Sequence, residues 1–349
     1  MERNYHEQMN IKNELHLREL IKELPKFSGE FFRGIEPTTS SRTRIAYAFD
    51  LGIFFHFLQE QNSYLKDKPI PEWPIGILDQ IKAVDIEEFL SWLRFYVKDG
   101  KEITNDEQAR KRKLIALRSF YTYFYKKERI TTNPAILVDI PKTHQKEIIR
   151  LDIDEVAKLL DEVESGEDLS DRQKAFHDRT KVRDLAMMTL LLGTGIRVSE
   201  CVGLNISDVD FNNNGIKVRR KGGSEAVVYF GDEVREALED YLIEREKIIP
   251  CSGHEDALFL SLQNKRMGVR TVEKMVKKYA GLVTSLKKIT PHKLRSTYGT
   301  NLYRATGDIY LVADVLGHKD VNTTRRHYAA LEEDRRRSAA NIVKLRKEE

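Results

Sequence analysis

Apolar residues recur at helical spacing along most of this chain, and the alternating pattern of β-strands is confined to one short region. Residues 43–59, residues 105–128 and nearly everything after residue 270 carry the helical pattern. The exception is GIKVR (215–219) and EAVVYF (225–230), which flank a glycine-containing turn and predict a β-hairpin. The sequence therefore predicts a mainly α protein with a small antiparallel β-sheet in its second half.

A polar segment with two prolines divides the chain. At 349 residues the chain is longer than one hydrophobic core usually organises, so two domains are expected. Prolines fall at positions 134 and 141, and residues 142–150 are polar and charged, as is typical of an exposed linker. We therefore expect a helical bundle in residues 1–141, a linker in residues 142–150 and an α-rich domain with the sheet in residues 151–349.

Local signals predict several element boundaries. Asp85 is expected to cap a helix over residues 86–98, and Asn105 to cap the next helix, which ends near residue 128. Further expected elements are helices over residues 152–163 and 183–192, a surface loop over residues 165–179 and a third strand at residues 259–261. We also expect a helix that ends at Leu316, before Gly317, and a tail helix over residues 331–345.

Composition excludes several classes of protein. No apolar run approaches the ~20 residues of a membrane helix, and the first twenty residues lack the apolar stretch of a signal peptide. Two cysteines are too few for a disulfide framework. We therefore expect a cytoplasmic protein that does not associate with membranes.

Basic residues are clustered, although the net charge is only +4. Residues 265–304 contain eleven Lys or Arg and a single acid, Glu273, and residues 101–130 contain nine Lys or Arg against four acids. Such clusters are typical of nucleic-acid binders, although solvated helix faces have the same composition. Lys111 and Arg118 lie seven residues apart beside the apolar stripe of their predicted helix, which makes them candidate DNA-binding residues.

Two arginines stand at positions suited to binding a phosphate. Arg197 follows the glycine break GTGI (193–196), and Arg295 lies three residues after His292 at the start of a predicted helix. Two guanidinium groups on one phosphate would form a permanently charged clamp. Each residue also has a simpler interpretation, because Arg197 can pair with Glu200 and His292 can be an ordinary helix-start residue.

Tyr328 is a candidate nucleophile, ten residues after His318 and close to several basic residues. A phenol with a reference pKa near 10 attacks poorly at neutral pH unless cations and a base assist it. A half-buried helical tyrosine is the simpler interpretation. A metal site of His292, His318 and His327 is a further alternative, but closely spaced ligand pairs are lacking, so neither a metal nor another cofactor is expected.

The order of these motifs is more informative than any one of them. Along the chain come GTGIRVSE (193–200), a lysine in the hairpin turn, PHKLRSTYGTNLY (291–303), LGHKDVNTT (316–324) and a late tyrosine. In this order and approximate spacing the chain resembles the tyrosine recombinase (integrase) family, most closely its Xer-type members. Residues 117–142 resemble the end of that family's N-terminal DNA-binding domain and its linker, so the resemblance covers nearly the whole chain.

The resemblance implies how a DNA phosphate would be bound. Arg197 and Arg295 match the two phosphate-binding arginines, and His318 matches a histidine that donates a hydrogen bond to the scissile phosphate. Glu200 matches an acid that orients the first arginine. The family implies a helical DNA-binding domain in residues 1–141 and a catalytic domain in residues 151–349.

The resemblance also implies the groups that move protons. Lys221 matches the general acid that protonates the 5′-oxygen leaving group, although Arg219 and Arg220 are neighbouring alternatives in the same hairpin. His292 matches a histidine that can shuttle the proton of the nucleophile, and Tyr328 matches the nucleophile itself. The interval from His318 to Tyr328 is one residue longer than the family pattern, and His327 occupies the usual place.

The implied activity is site-specific recombination through a 3′-phosphotyrosyl intermediate and a four-way junction. The partners implied are double-stranded DNA sites, with the chain a monomer when free and a homotetramer on two sites. Resolution of chromosome dimers and integration or excision of a mobile element would use the same residues. Two other classes remain open at this point: a type IB topoisomerase and a catalytically idle DNA-binding regulator.

Overall fold

The computed structural model describes residues 5–144, 149–220, 223–318, 320 and 321. The chain separates into two compact units, residues 1–146 and residues 147–349. Helices dominate both units and the sheets are small and antiparallel, so the predicted mainly α fold class is confirmed. Among the described residues, no helix is long and apolar enough to cross a membrane.

The first unit is a helical bundle with one small hairpin. Hydrogen bonds at the helix starts are local: Ser40 Oγ accepts from the Thr43 N–H (3.2 Å), and Asp106 Oδ1 accepts from the Ala109 N–H (2.9 Å). The elements in order are α1 (Tyr5–Lys22), α2 (Ser28–Gly34), α3 (Ser41–Gln61), α4 (Ile77–Gln80), α5 (Ala83–Trp92), β1 (Phe95–Lys98), β2 (Lys101–Thr104) and α6 (Glu107–Lys126).

Aromatic side chains fill the core of this unit. Phe120 of α6 lies edge-on to Phe31 of α2 with ring centroids 5.1 Å apart, and it contacts Phe124 at 5.0 Å. Phe54 of α3 meets Phe89 of α5 in the same geometry at 5.1 Å. All five side chains are fully buried, and edge-to-face pairs of this kind add to the free energy of area burial.

Three predictions in the first unit are wrong, one about a helix end and two about helix caps. The helix expected over residues 86–98 ends at Trp92 and is followed by the β1–β2 hairpin, whose turn holds Asp99 and Gly100 at φ 52° and 70°. An Asp-Gly pair at positive φ is a strong hairpin signal, and it competes successfully with the helical pattern. The predicted caps are each displaced: Asp85 lies in the first turn and accepts from the Lys82 N–H, and Asp106 rather than Asn105 caps α6.

The second unit surrounds a three-stranded sheet with helices. Its strand order is β3–β4–β5, and both pairs are antiparallel. The elements in order are α7 (Ile153–Ser165), α8 (Asp171–His177), α9 (Lys181–Thr194), α10 (Val198–Cys201), β3 (Val209–Asp210), β4 (Gly215–Arg219), β5 (Glu225–Tyr229), α11 (Asp232–Glu246), α12 (Val269–Val283), α13 (Pro291–Thr306) and α14 (Ile309–Leu316).

The predicted β4–β5 hairpin is confirmed, but two other local predictions are wrong. The third strand is Val209–Asp210, since residues 259–261 contribute only one isolated bridge, between Leu260 and Arg266. The expected surface loop over residues 165–179 contains helix α8. A capping box starts that helix, with Gln173 Oε1 accepting from the Ser170 N–H (3.0 Å). The helix ends at His177, which is buried and pairs through Nδ1 with the Tyr279 hydroxyl at 3.0 Å, so tertiary packing also stabilises it.

Burial of Asp50 in the first unit predicts a dependence of stability on pH. Arg112 donates to its carboxylate and Lys113 Nζ lies 3.8 Å away, yet burial outweighs both and raises the pKa of Asp50 from 3.8 to about 6. The folded state therefore binds the proton more tightly than the unfolded state. The contribution of Asp50 to stability is greatest below about pH 4 and is lost as the pH rises through about 6.

We expect Asp50→Asn to remove this dependence. Relative to the variant, the free energy of unfolding of the wild type should fall by about 1–3 kcal/mol between pH 4 and pH 7. Both tryptophans, Trp73 and Trp92, belong to the first unit, so urea unfolding followed by their fluorescence reports on that unit. Asp67→Asn, at an exposed position, is the control and should keep the wild-type slope; equal slopes in all three proteins would contradict the assignment.

Candidate phosphate-binding site

The site begins where helix α9 ends. Gly195 closes the helix in the left-handed conformation, at φ 62°, and an added Cβ would lie 2.4 Å from the Tyr298 ring. Two residues later, Arg197 is the N-cap of the short helix α10. The glycine break thus turns the chain so that Arg197 starts a new element beside α13.

Glu200 holds Arg197 in place. Its Oε2 accepts from the Arg197 N–H (2.9 Å), and its Oε1 accepts from Arg197 Nη1 (2.8 Å). The carboxylate is buried, and Arg220 Nη1 approaches Oε2 to 3.7 Å. The sequence-based pairing of Arg197 with Glu200 is confirmed, and Glu200 also links Arg197 to the end of strand β4.

Arg295 reaches the same place from helix α13. Pro291 occupies the first turn, as expected for a residue without an N–H, and Arg295 follows one turn later. Its guanidinium is buried, donates from Nη1 to the Gly195 carbonyl (2.7 Å) and donates from Nη2 to the Leu316 carbonyl. These bonds join the end of α9 to the end of α14.

Helix α14 ends at the centre of the site. Gly317 adopts the left-handed conformation at φ 61°, and the His318 N–H returns to the Ala313 carbonyl (2.8 Å), which fixes the backbone of His318. Arg197 Nη2 lies 3.4 Å from the Gly317 carbonyl. The predicted helix end at Leu316 is confirmed.

Arg220 is the third arginine of the site. It follows β4 and donates to two successive carbonyls of α14, from Nη2 to Val315 (2.9 Å) and from Nη1 to Leu316 (3.1 Å). The structure therefore brings Arg197, Arg220 and Arg295 together around residues 315–317. Sequence reasoning named Arg220 only as an alternative to its neighbour in the hairpin, because a contact across ninety-five residues has no local signal.

His292 is exposed on the first turn of α13, one turn before Arg295, and its carbonyl accepts from Ser296 Oγ (3.1 Å). Lys221 lies outside the described residues, between Arg220 and Gly223, whose N–H donates to the Arg220 carbonyl (3.0 Å). Further predictions that lie outside the described residues concern Tyr328, His327 and the tail helix over residues 331–345.

The two candidate DNA-binding residues of α6 differ in their surroundings. Lys111 is partly exposed. Arg118 donates from Nε to the Ala135 carbonyl (3.1 Å) and from Nη2 to the Val138 carbonyl (2.5 Å), so it fixes the segment that follows α6. Contact of either residue with DNA stays a prediction.

The site concentrates positive charge beside a protonated tyrosine. Burial raises the pKa of Tyr298, which lies against Gly195, so this phenol is unsuited to act as a nucleophile at neutral pH. Within the described part of the chain, no three His, Cys, Asp or Glu side chains lie close enough to hold a metal ion. Among the described residues the site holds guanidinium groups and His318, and such groups are donors that bind an oxyanion.

In this mainly α unit, arginines from three elements meet at one helix end beside His318, and such a set of donors suits an oxyanion. The Phage integrase family model matches residues 149–335, more than half of the chain. The chain therefore belongs to the phage integrase family of tyrosine recombinases, and it is a tyrosine-type site-specific recombinase.

Relatives and solved structures agree with this membership. The chain is 35% identical over 317 residues to tyrosine recombinase XerC of Caldanaerobacter subterraneus subsp. tengcongensis, covering 88% of this chain and 83% of the relative. It is 30% identical over 295 residues to tyrosine recombinase XerD of Oceanobacillus iheyensis, covering 84% and 89%.

Two solved structures share the fold. One is XerH site-specific recombinase bound to palindromic difH substrate in a post-cleavage complex, with a TM-score of 0.64, 23% identity and coverage of 87% of this chain and 80% of that chain. The other is a lambda integrase tetramer bound to a Holliday junction, with a TM-score of 0.59, 18% identity and coverage of 86% and 76%.

The turn at Gly195 predicts that adding one methyl group at this position destabilises the protein. Gly195→Ala should lower the free energy of unfolding by about 2 kcal/mol, because a left-handed conformation is costly for alanine and the new Cβ would overlap Tyr298. Gly281→Ala is the matched control: that glycine lies in helix α12 with open space around it, so alanine should be neutral or stabilising. Thermal unfolding monitored by circular dichroism measures both, and equal melting temperatures for the two variants would contradict the assignment.

Proposed function

We propose that this chain cleaves and rejoins DNA at specific sites by attack of Tyr328 on a phosphodiester held by Arg197, Arg295 and His318. One observation supports the proposal: Arg197 and Arg295, ninety-eight residues apart in sequence, meet at one place. Arg197 donates to the Gly317 carbonyl, next to His318, and Arg295 donates to the carbonyls of Gly195 and Leu316. Permanent positive charge beside a phosphodiester stabilises the negative charge of its transition state during cleavage.

The proposed reaction conserves a phosphodiester at each step. The Tyr328 oxygen forms a bond to phosphorus, its proton passes to His292, and the bond from phosphorus to the 5′-oxygen breaks. Lys221 gives a proton to that oxygen, which leaves as a 5′-hydroxyl. A 5′-hydroxyl from a second duplex then attacks the 3′-phosphotyrosyl bond and releases Tyr328, so no high-energy cofactor is consumed.

The two units suit different tasks on DNA. We propose that residues 1–141 bind the duplex, with Lys111 and Arg118 near its phosphates, that residues 142–150 link the domains, and that residues 151–349 perform the chemistry. A monomer in solution and a homotetramer on two DNA sites would follow from exchange of strands through a four-way junction. Chromosomal DNA in the cytoplasm is the proposed place of action.

Resolution of chromosome dimers is the biological role that we favour. XerC and XerD relatives match the chain along both units rather than along the second unit alone, since coverage reaches 88% in the first of them. Integration or excision of a mobile element would need the same residues. Recombination between two directly repeated sites on one plasmid, compared with recombination between two plasmids, separates resolution from integration.

The first test is covalent trapping. Duplexes are selected from a random-sequence library by binding to the wild-type chain, and a nick is placed beside the cleavage point so that the short 5′-hydroxyl fragment diffuses away. We expect a denaturation-resistant adduct whose 3′ end resists a 3′→5′ exonuclease, because the tyrosine blocks it. Mass spectrometry of the adduct should identify the peptide that carries Tyr328.

Two tyrosine variants make the trapping decisive. Tyr328→Phe should bind DNA normally and give no adduct. Tyr310→Phe is the matched control, since Tyr310 is 72% exposed on α14, and it should give the wild-type amount. An adduct that survives Tyr328→Phe would show that another residue is the nucleophile, and binding without any wild-type adduct would support a regulator.

We expect DNA cleavage to depend on both the charge and the forked shape of the Arg295 guanidinium. In Arg295→Lys one ammonium group replaces a guanidinium that bridges the Gly195 and Leu316 carbonyls, so we expect cleavage to fall by about 100-fold or more. DNA binding measured by gel shift should change only slightly. Arg172→Lys, at an exposed position of α8, should cleave at the wild-type rate; normal cleavage by Arg295→Lys would remove Arg295 from the proposed site.

A further inference from the structure

Arg220 lies in the site, and the proposed reaction gives it no task. Its Nη1 and Nη2 both donate to carbonyls of α14, and Nη1 also faces Glu200. Its side chain is 12% exposed, against 33% for Arg197. Both terminal nitrogens of Arg220 therefore hold protein groups at the end of α14 in place.

The carbonyls that Arg220 binds need hydrogen-bond donors from outside their own helix. The last carbonyls of a helix lack intrahelical partners and carry partial negative charge. Val315 and Leu316 precede His318 by three and two residues, so whatever holds them also sets the position of His318. Packing there is tight, because a Cβ on Gly317 would lie 2.8 Å from the Arg220 guanidinium carbon.

Arg220 also shares a partner with each proposed phosphate-binding arginine. It shares the Leu316 carbonyl with Arg295 and the Glu200 carboxylate with Arg197. Loss of Arg220 would remove one of the two cations that pair with Glu200 among the described residues, and one of the two arginine donors to the Leu316 carbonyl. The positions of both arginines and of His318 therefore depend on it.

We propose that Arg220 is a positioning residue for the phosphate site, which it serves by holding the end of α14 against Glu200 and thereby aligning His318, Arg197 and Arg295. This role rests on the proposed phosphate-binding function of those three residues. It is a positioning role because Arg220 acts through the α14 carbonyls and Glu200.

A methylphosphonate substrate tests this role. Replacing one non-bridging oxygen of the scissile phosphate by methyl removes the negative charge, so groups that act on that charge become less important. The measurement is the single-turnover rate of adduct formation on two nicked duplexes that differ only at this phosphate. A residue that merely stabilises the fold slows both substrates equally.

On the phosphate duplex, Arg220→Met should react about 100-fold more slowly than wild type, as expected for a displacement of catalytic groups by about 1 Å. On the methylphosphonate duplex, its rate should be within about threefold of wild type. Equal losses on the two substrates, or a wild-type rate on the phosphate duplex, would overturn the proposal. Arg220→Lys keeps the charge but cannot bridge two carbonyls and Glu200, so it should show a smaller loss with the same selective rescue.

Three controls separate this proposal from the proposed function. Arg197→Ala should also be rescued by methylphosphonate, and if it is not, the phosphate-binding role of Arg197 is wrong. Lys221→Ala should not be rescued, because its task is at the leaving group. Arg235→Ala removes an arginine that binds the Phe211 carbonyl and Asn214 at the opposite end of β4, and any loss it causes should be equal on both substrates.

If Arg220→Met fails to fold, shown by thermal unfolding, Arg220→Lys carries the test: selective rescue supports the positioning role, and equal losses overturn it. Rescue of Arg197→Ala without rescue of either Arg220 variant would overturn the role of Arg220 alone and leave the proposed function intact.

Discussion

The carbonyl end of helix α14 is the constraint on which the rest of the site depends. A helix leaves its last carbonyls without partners, and buried carbonyls must be satisfied by donors from elsewhere. Here the donors are Arg197 from α10, Arg220 from the end of β4 and Arg295 from α13. Because each arginine comes from a different element, one helix end determines how three elements meet.

Glu200 lowers the electrostatic repulsion among these arginines. Three guanidinium groups around one helix end would repel one another, and a buried carboxylate between two of them lowers that repulsion. The carboxylate is in turn stabilised because it is paired and hydrogen-bonded, as a buried charge must be. The fold itself thus assembles the positive charge, and such preorganisation would spare the proposed reaction a rearrangement of the site.

The sequence predicts this fold where signals are local and fails where they are not. Helical periodicity predicts the fold class. Spacing alone also predicts the ion pair between Arg197 and Glu200, which lie three residues apart. The sequence analysis does not predict the β1–β2 hairpin, because the apolar pattern of the preceding helix continues through it. The Asp99-Gly100 pair is nevertheless a local signal for the turn. Helix α8 has a local signal in the capping box of Ser170 and Gln173, but the burial of His177 against Tyr279, a contact across 102 residues, has none.

The three arginines differ in how deeply they are buried. Arg295 as a whole residue is 4% exposed, whereas the side chain of Arg220 is 12% exposed and that of Arg197 is 33% exposed. Arg197 is thus the most accessible of the three, and in the proposed reaction it is the arginine that a phosphate reaches most easily. A guanidinium has five donors, so one buried arginine can bind several backbone carbonyls at once. Arg295 uses this capacity to join the end of α9 to the end of α14, so the proposed phosphate site depends on correct packing of α14.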